Sequence, residues 1–378
     1  MENLKKHFEA KKENTSWQDS FIRGNSFIAF DEASPLFFHE VDGVTVYDDG
    51  KTKVEINGSF EAVKECLGRE GTELFAKTYY DGKEGIFPIR ECAFNSLLSV
   101  SGAGGNAIKC YARTKGRKAY NPVLRAMDLD GAYKTWQDTK VLRYGFWKDT
   151  KEIKAIHTKV YTPLPEIDLL EIIEKKLDVS EESFKDTDNF TSIYLKVNDE
   201  IIIDGFHKLF DNTSWAGAEP LIALTTSETG NDDVSVSMAV KAQGHIYNVL
   251  GTRSTEGIKH VGKYEACMKK FESCVDGLYK SFTQTLDEVE ALKAIRLKYP
   301  INAIRNVAVK VCKMGAKEAK TFADSCVYLP KTAFELYLDM YSLSQPNPNA
   351  FLELKRCEAI ASVLTIDFAH FDIPELLA

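Results

Sequence analysis

The chain has 378 residues, of which 44% are hydrophobic and 28% charged, and a net charge of −8. These values describe a globular protein of two or three packed units. They exclude a membrane-spanning helix, because no apolar run approaches about 20 residues, and the negative charge argues against a general binder of polyanions.

The opening MENLKKHFEAKKENTSW is charged throughout and carries no apolar core of a signal peptide, so the expected location is the cytoplasm. From there to residue 84 the sequence reads as strands and turns. GVTVYDDGKTKVEI, residues 43–56, sets an Asp-Gly turn between two alternating runs, the pattern of a β-hairpin. A short helix is expected from Phe60 to Leu67 behind Ser59, and Asp81-Gly82 marks a second reversal.

FPIRECAFNSLLSVSGAGGNAIKCYAR then predicts a helix carrying Ala93, Leu97, Leu98 and Val100, stopped by Gly102, Gly104 and Gly105. Those glycines come after a helix, and Lys109 is followed by Cys110, so the run lacks the Gly-Lys-Ser/Thr order of a phosphate loop. Strands are expected at 141–147 and 153–157 around the turn at Asp149-Thr150. Pro163 and Pro165 interrupt the chain before a helix with Ile167, Leu170, Ile173 and Leu177 on one face. From 190 to 250 the reading is β throughout: FTSIYLKV, EIIIDGFHKLF, and a meander of PLIALTTSE, VSVSMAV and HIYNVLG. Val234, Val236 and Met238 alternate with Ser235 and Ser237, as a half-buried strand would.

The last third reads as helical. One long helix is expected from Lys263 to Lys298, bent at Gly277, with further helices near 302–324, 331–343 and 350–363 and a linker in QPNPN. The expected fold class is therefore α+β, with mixed, largely antiparallel sheet regions followed by a mainly helical C-terminal third. The expected divisions are a β-rich region at 1–84, an α+β core at 85–262 and a helical region at 263–378.

Eight cysteines, at 66, 92, 110, 267, 274, 312, 326 and 357, form no C-x-x-C pair and read as free apolar side chains in a reducing compartment. Ser227-Glu228, in T-S-E-T-G-N-D-D, lacks the flanking glycines of a nucleophile elbow, and the residues after Asp233 read as strand rather than helix. It is expected to be a turn. Asp204 and His207 resemble half a helical metal site set in a strand context. No H-E-x-x-H occurs, so neither a metal site, a cofactor nor a catalytic residue is assigned. The carboxylates between 166 and 188 read as a solvated helix face and loop.

Charge is unevenly placed. Residues 109–160 hold 13 Lys+Arg against 5 Asp+Glu, 161–238 hold 5 against 17, and 241–320 hold 15 against 8. Within the first block, KCYARTKGRKAYNPVLR carries six cations, no acid and two tyrosines. Cations neutralise phosphates and aromatic rings stack on unpaired bases. The candidate nucleic-acid-binding residues are thus Lys109, Arg113, Lys115, Arg117 and Lys118; Arg143, Lys148, Lys154 and Lys159 on the predicted hairpin; and Arg253, Lys259, His260 and Lys263 before the long helix.

Several segments, in order, resemble a known family. AIHTKVYTPLPEIDLLEIIEKKL is similar to its basic, x-Tyr, x-Pro-Leu and amphipathic-helix segment. ALTTSETGNDDVSV resembles its Asn-Ser-Glu-Val-Gly turn, with Thr226, Ser227, Glu228 and Gly230 at the turn and Thr226 where the family has Asn. HIYNVLGTRSTEGIKHVGK resembles its strand, Cys-Thr-Asn-Gly turn and His-x-Gly, with the Cys, Asn and Gly replaced, and FPIRECAFNSLLSVSG its early helix. This is the phage- and plasmid-like family called domain of unknown function nine-three-two, and the resemblance runs over residues 85–300. It implies a mobile-element origin and a bacterial cytoplasm, and it supplies no reaction and no catalytic residues.

The expected function is a non-enzymatic nucleic-acid-binding accessory factor of phage or plasmid replication or recombination, acting on single-stranded DNA. The alternatives are a metal-dependent enzyme acting on nucleic acid or a nucleotide, using carboxylates such as Asp204 and Glu228, and a self-assembling structural or host-interaction protein. No membrane partner is expected. Phe271, Val275, Leu278 and Phe282 form an apolar stripe that predicts a homo-oligomer, at least a dimer.

Overall fold

The first secondary element is a helix, where the sequence suggested only strands and turns. Leu4, Phe8 and Lys11 recur at a spacing of four and three, which puts them on one helical face. Leu4 and Phe8 are buried there, while Glu2 and Lys6 pair one turn apart on the outside. A computed structural model of the chain describes residues 1–21, 27–29, 37–50, 53–61, 63, 74–90, 92–93, 96, 141–229, 233–251, 257–326, 328–341 and 350–377.

In chain order the elements are α1 (Glu2–Glu13), β1 (Thr15–Phe21), β2 (Phe27–Ala29), β3 (Phe38–Val41), β4 (Val44–Asp48), β5 (Lys53–Ile56), β6 (Leu74–Tyr80), β7 (Lys83–Pro88), β8 (Val141–Trp147) and β9 (Ile153–Thr158). Next come α2 (Glu166–Lys176), β10 (Val179–Asp186), β11 (Thr191–Val197), α3 (Glu200–Phe210), β12 (Glu219–Thr226), β13 (Ser235–Ala242) and β14 (His245–Tyr247). The remainder is helical: α4 (Tyr264–Asp276), α5 (Leu278–Ala291), α6 (Pro300–Lys310), α7 (Ala316–Ser325), α8 (Ala333–Tyr341) and α9 (Ala350–Ala361). The fold is α+β, with helices concentrated towards the C-terminus. No described helix is long and apolar enough to cross a membrane.

The strands form antiparallel sheets in the orders β1-β8-β9, β2-β6-β7, β3-β4-β5 and, centrally, β10-β11-β12-β13-β14. The two Asp-Gly signals both make hairpin turns. Gly50 (φ +81) comes after β4, and Asp81 and Gly82 (φ +50 and +75) join β6 to β7. Positive φ at both central residues suits the twist of the flanking strands.

The period-2 alternation of the central sheet builds the main core. Ile193, Leu195, Ile222, Leu224, Val236, Met238 and Val240 face the helices, while Tyr194, Leu221, Ala223 and Ala239 pack on the opposite face. The interleaved serines of β13 are buried too, contrary to the half-buried expectation. Ser235 bonds the Thr225 hydroxyl at 2.7 Å, and Ser237 donates to the Asn248 carbonyl at 3.3 Å. The main core runs from Leu4 to Phe368, and a smaller cluster of Phe38, Tyr47, Ile56, Val63 and Phe75 holds the N-terminal strands.

Two sequence expectations fail here. EIIIDGFHKLF is the helix α3, not a strand. The Asp199 carboxylate caps it by accepting from Ile202 N at 3.1 Å, and Ile202, Phe206, Leu209 and Phe210 face the core while Ile201 stands in solvent. The cap and the helical spacing outweigh the β-branched composition. The long C-terminal helix divides at Gly277 into α4 and α5. Its stripe of Phe271, Val275, Leu278 and Phe282 is buried in the chain's own core, so that stripe is not an oligomer face. The expected helices at 60–67 and after Pro88 are seen only at Phe60, Glu61, Val63, Cys92, Ala93 and Ser96; their other residues, and QPNPN, lie outside the described residues.

Candidate nucleic-acid interface

Leaving β9, the chain runs through Lys159-Val160-Tyr161-Thr162 against 259–262. Tyr161 and Val261 form an antiparallel bridge, and Thr162 N donates to the His260 carbonyl at 2.8 Å. The Thr162 hydroxyl also donates to the Gly262 carbonyl. This seam brings Lys159 together with Lys259 and Lys263, from a segment about a hundred residues later. All three are exposed, and none makes an ion pair among the described residues. Val160 and Val261, each more than half exposed, lie between them. Phe21 is 59% exposed and belongs to the same end of the sheet. It pairs with Val141, and the next residue of β8, Leu142, pairs with Thr158. At about 4.8 Å per strand, Phe21 stands roughly 10 Å from the backbone leading into Lys159.

The other candidate cations have different fates. Arg143 places its fork on Asp19, with Nε to Oδ1 at 2.7 Å and Nη2 to Oδ2 at 2.9 Å, and donates Nη1–H to the Tyr161 carbonyl. The Asp19 hydrogen bonds hold its pKa above the usual arginine value. Lys154 is buried: its Nζ donates to Glu228 Oε2 at 2.6 Å and Thr15 Oγ1 at 2.8 Å and lies 3.9 Å over the Trp147 ring. His260 is buried, with Nδ1 against the Thr162 carbonyl at 3.2 Å, and burial lowers its pKa so that the ring is neutral at pH 7. Lys154 and His260 are thus corrected from ligand-facing to internal, while Arg143 is partly exposed with its fork engaged by Asp19. Lys148 is exposed at the β8–β9 turn. Lys109, Arg113, Lys115, Arg117, Lys118 and Arg253 lie outside the described residues.

The turn after β12 is a buried structural joint. The Ser227 hydroxyl donates to the Asn189 carbonyl at 2.7 Å and lies 3.1 Å from Thr229 Oγ1. Thr226 Oγ1 approaches His260 Nε2 at 3.5 Å, and Gly230 lies outside the described residues. The Glu228 carbonyl accepts from His157 Nε2 at 2.6 Å and from the Tyr161 hydroxyl at 3.3 Å. Tyr161 is stacked between His157 (centroids 3.8 Å, 7°) and His260 (5.0 Å, 10°), with Trp17 at 5.2 Å. Burial pushes the His157 pKa down to about 4, so it is a neutral donor here.

Behind the turn lies a charge network that sequence reading missed. Lys11 of α1 holds Glu166 Oε1 and Asp186 Oδ1, both at 2.8 Å, and Thr191 Oγ1 at 3.3 Å. Lys11 and Lys154, with Trp147, Asp186, Thr187, Asp188 and Glu228, line a recess of ≈ 120 Å³. A single water needs about 10–15 Å³ by this measure. Burial alone would raise the Glu228 carboxyl, but the Lys154 and Lys11 ammoniums outweigh it and hold the pKa below the usual range. Asp186 is lowered likewise, against its burial, by Lys11. At Glu166 burial prevails over Lys11, and its pKa is raised. Lys11 is raised above the usual lysine value, because Glu166, Glu228 and Asp186 together overcome its burial. Each ammonium already has its acceptors, so the recess is not an empty anion subsite. The one sequence signal for this network was the position of Lys11 on the Leu4–Phe8 face.

No group of three or more His, Cys, Asp or Glu among the described residues is arranged to hold a metal ion. Asp204 and His207 sit on the exposed face of α3, and Glu228 is bound to Lys154. Cys92, Cys267, Cys274, Cys312, Cys326 and Cys357 form no disulfide among the described residues. Comparison with protein-family models, with curated proteins and with solved structures finds no match to this chain.

Proposed function

We propose that the protein binds single-stranded nucleic acid, as a non-enzymatic accessory factor of a phage or plasmid working in a bacterial cytoplasm. The observation that carries the reading is the seam of Lys159, Lys259 and Lys263, three exposed cations without ion-pair partners among the described residues, beside the exposed ring of Phe21. Cations of this kind neutralise phosphates, and an exposed ring offers a face to an unpaired base. The six cations of residues 109–125 support the reading from sequence. The ordered resemblance to a phage- and plasmid-like family supports the setting.

The test is fluorescence anisotropy of a labelled 30-mer of thymidine between 50 and 300 mM salt. Each phosphate contact on a single strand contributes about −0.7 to the log–log salt slope. Replacing Lys159, Lys259 and Lys263 together by Ala should flatten the slope by roughly 2. Absence of binding by the wild type at low salt, or a triple variant with the wild-type slope, would sink the proposal.

A further inference from the structure

We propose that a second strip, built from residues 295–301 and 328–331, is a base-stacking contact for the same single strand, an inference that rests on the nucleic-acid reading above. Backbone pairing assembles the strip. Arg296 bridges Thr332, Leu297 N donates to the Lys331 carbonyl at 3.1 Å, and Ala333 N donates to the Ile295 carbonyl at 2.9 Å. Two residues beyond the Leu297–Lys331 bond on each side stand Tyr299 and Leu329, followed by Ile301 and Tyr328. All four large side chains are exposed, Tyr328 to 86%. Arg296, Lys298 and Lys331 are exposed among them, and none forms an ion pair among the described residues.

Two carboxylates lie beside the strip and bond its backbone rather than pairing with its cations. Asp372 accepts from Lys298 N at 2.7 Å and Tyr299 N at 2.6 Å, and Glu335 Oε2 accepts from Lys331 N at 2.5 Å. The strip also lies at the start of α6, whose N-cap is Tyr299, so the positive end of the helix dipole points the same way. Exposed rings beside cations that form no ion pair among the described residues fit an occupant that is both polyanionic and flat-faced. An unpaired nucleic-acid strand has both properties. A protein partner would have to supply carboxylates and an apolar face together, and the exposed Arg296, Lys298 and Lys331 beside exposed rings favour the strand.

Stacking and phosphate contacts separate by salt, because only the second releases counterions. A Tyr299→Ala/Tyr328→Ala variant should bind the thymidine 30-mer at least about tenfold more weakly with an unchanged salt slope. A Tyr299→Phe/Tyr328→Phe variant should restore affinity. On an abasic deoxyribose-phosphate strand of equal length, wild type and the double-Ala variant should bind alike. The inference is overturned if the wild type binds the 30-mer and the double-Ala variant matches it, or if the loss is equal on the abasic strand. It is also overturned if the variant changes only the oligomeric state seen by light scattering, which would assign the strip to protein contact. A wild type that binds neither strand removes the nucleic-acid reading itself, and this inference with it.

Discussion

Lys154→Met is the most informative perturbation of the network behind the turn. The methionine stem fills most of the lysine volume, so the change removes charge with little cavity. It deletes the 2.6 Å bond to Glu228, the 2.8 Å bond to Thr15 and the ammonium 3.9 Å over Trp147. Removing one partner of a buried pair costs about 3–5 kcal/mol, because the other charge is left uncompensated. The Glu228 side chain is 20% exposed and faces the recess, and Lys11 still attracts it, so the low end applies. A loss of about 3 kcal/mol is expected, or roughly 6 °C in Tm at about 2 °C per kcal/mol for a chain of this size. The assay is urea unfolding at pH 7 in a double-mutant cycle with Glu228→Gln. The double variant should be more stable than the sum of the single losses by about 2 kcal/mol. A Lys154→Met protein within about 0.5 kcal/mol of wild type, or strictly additive losses, would refute the reasoning.

His157 titrates near 4 in the fold and near 6.5 when unfolded, so between those values the unfolded chain binds the extra proton and stability falls as pH falls. That loss is about 3 kcal/mol, and His157→Gln, which keeps an N–H donor, should remove most of it in chemical unfolding at pH 4.5 and 7; an unchanged pH slope would contradict this. Ser227→Ala removes the 2.7 Å donor to the Asn189 carbonyl, which keeps only the 3.2 Å bond from Thr229 Oγ1, so it should cost about 1 kcal/mol in urea unfolding and leave 30-mer affinity unchanged. A folded Ser227→Ala protein that binds tenfold more weakly would instead place the hydroxyl at the ligand.

The elements legible in the sequence are those whose signal is local. Asp49-Gly50 and Asp81-Gly82 announced their hairpins because both turns need positive φ, and the helix of Ile167, Leu170 and Ile173 could be read from its spacing. EIIIDGFHKLF misled because three isoleucines suggest a strand, while its helix depends on the Asp199 carboxylate and on a core supplied by distant residues. The carboxylates of 166–188 read as a solvated face. Asp168 does contact solvent, but Glu166 and Asp186 turn inward to Lys11, more than 150 residues away. Long-range pairing of this kind leaves no trace in local periodicity.

The same limit governs which cations are open to a ligand. Lys154 and Lys159 lie five residues apart in one basic run, with the same side chain and similar neighbours. Lys154 is on β9, where its strand position directs it between β1 and the turn after β12, and Glu228 completes it. Lys159 lies just past the strand end, where the chain leaves the sheet to pair with 259–262, and it meets solvent. Charge density alone therefore overstates a binding face. The cations proposed to bind are those left over once carboxylates such as Asp19, Glu228 and Asp186 have taken theirs. By that criterion the proposed interface moves from the hairpin to its outer end at Lys159, and to the strip at Tyr299 and Tyr328, where Arg296, Lys298 and Lys331 are exposed and form no ion pair among the described residues.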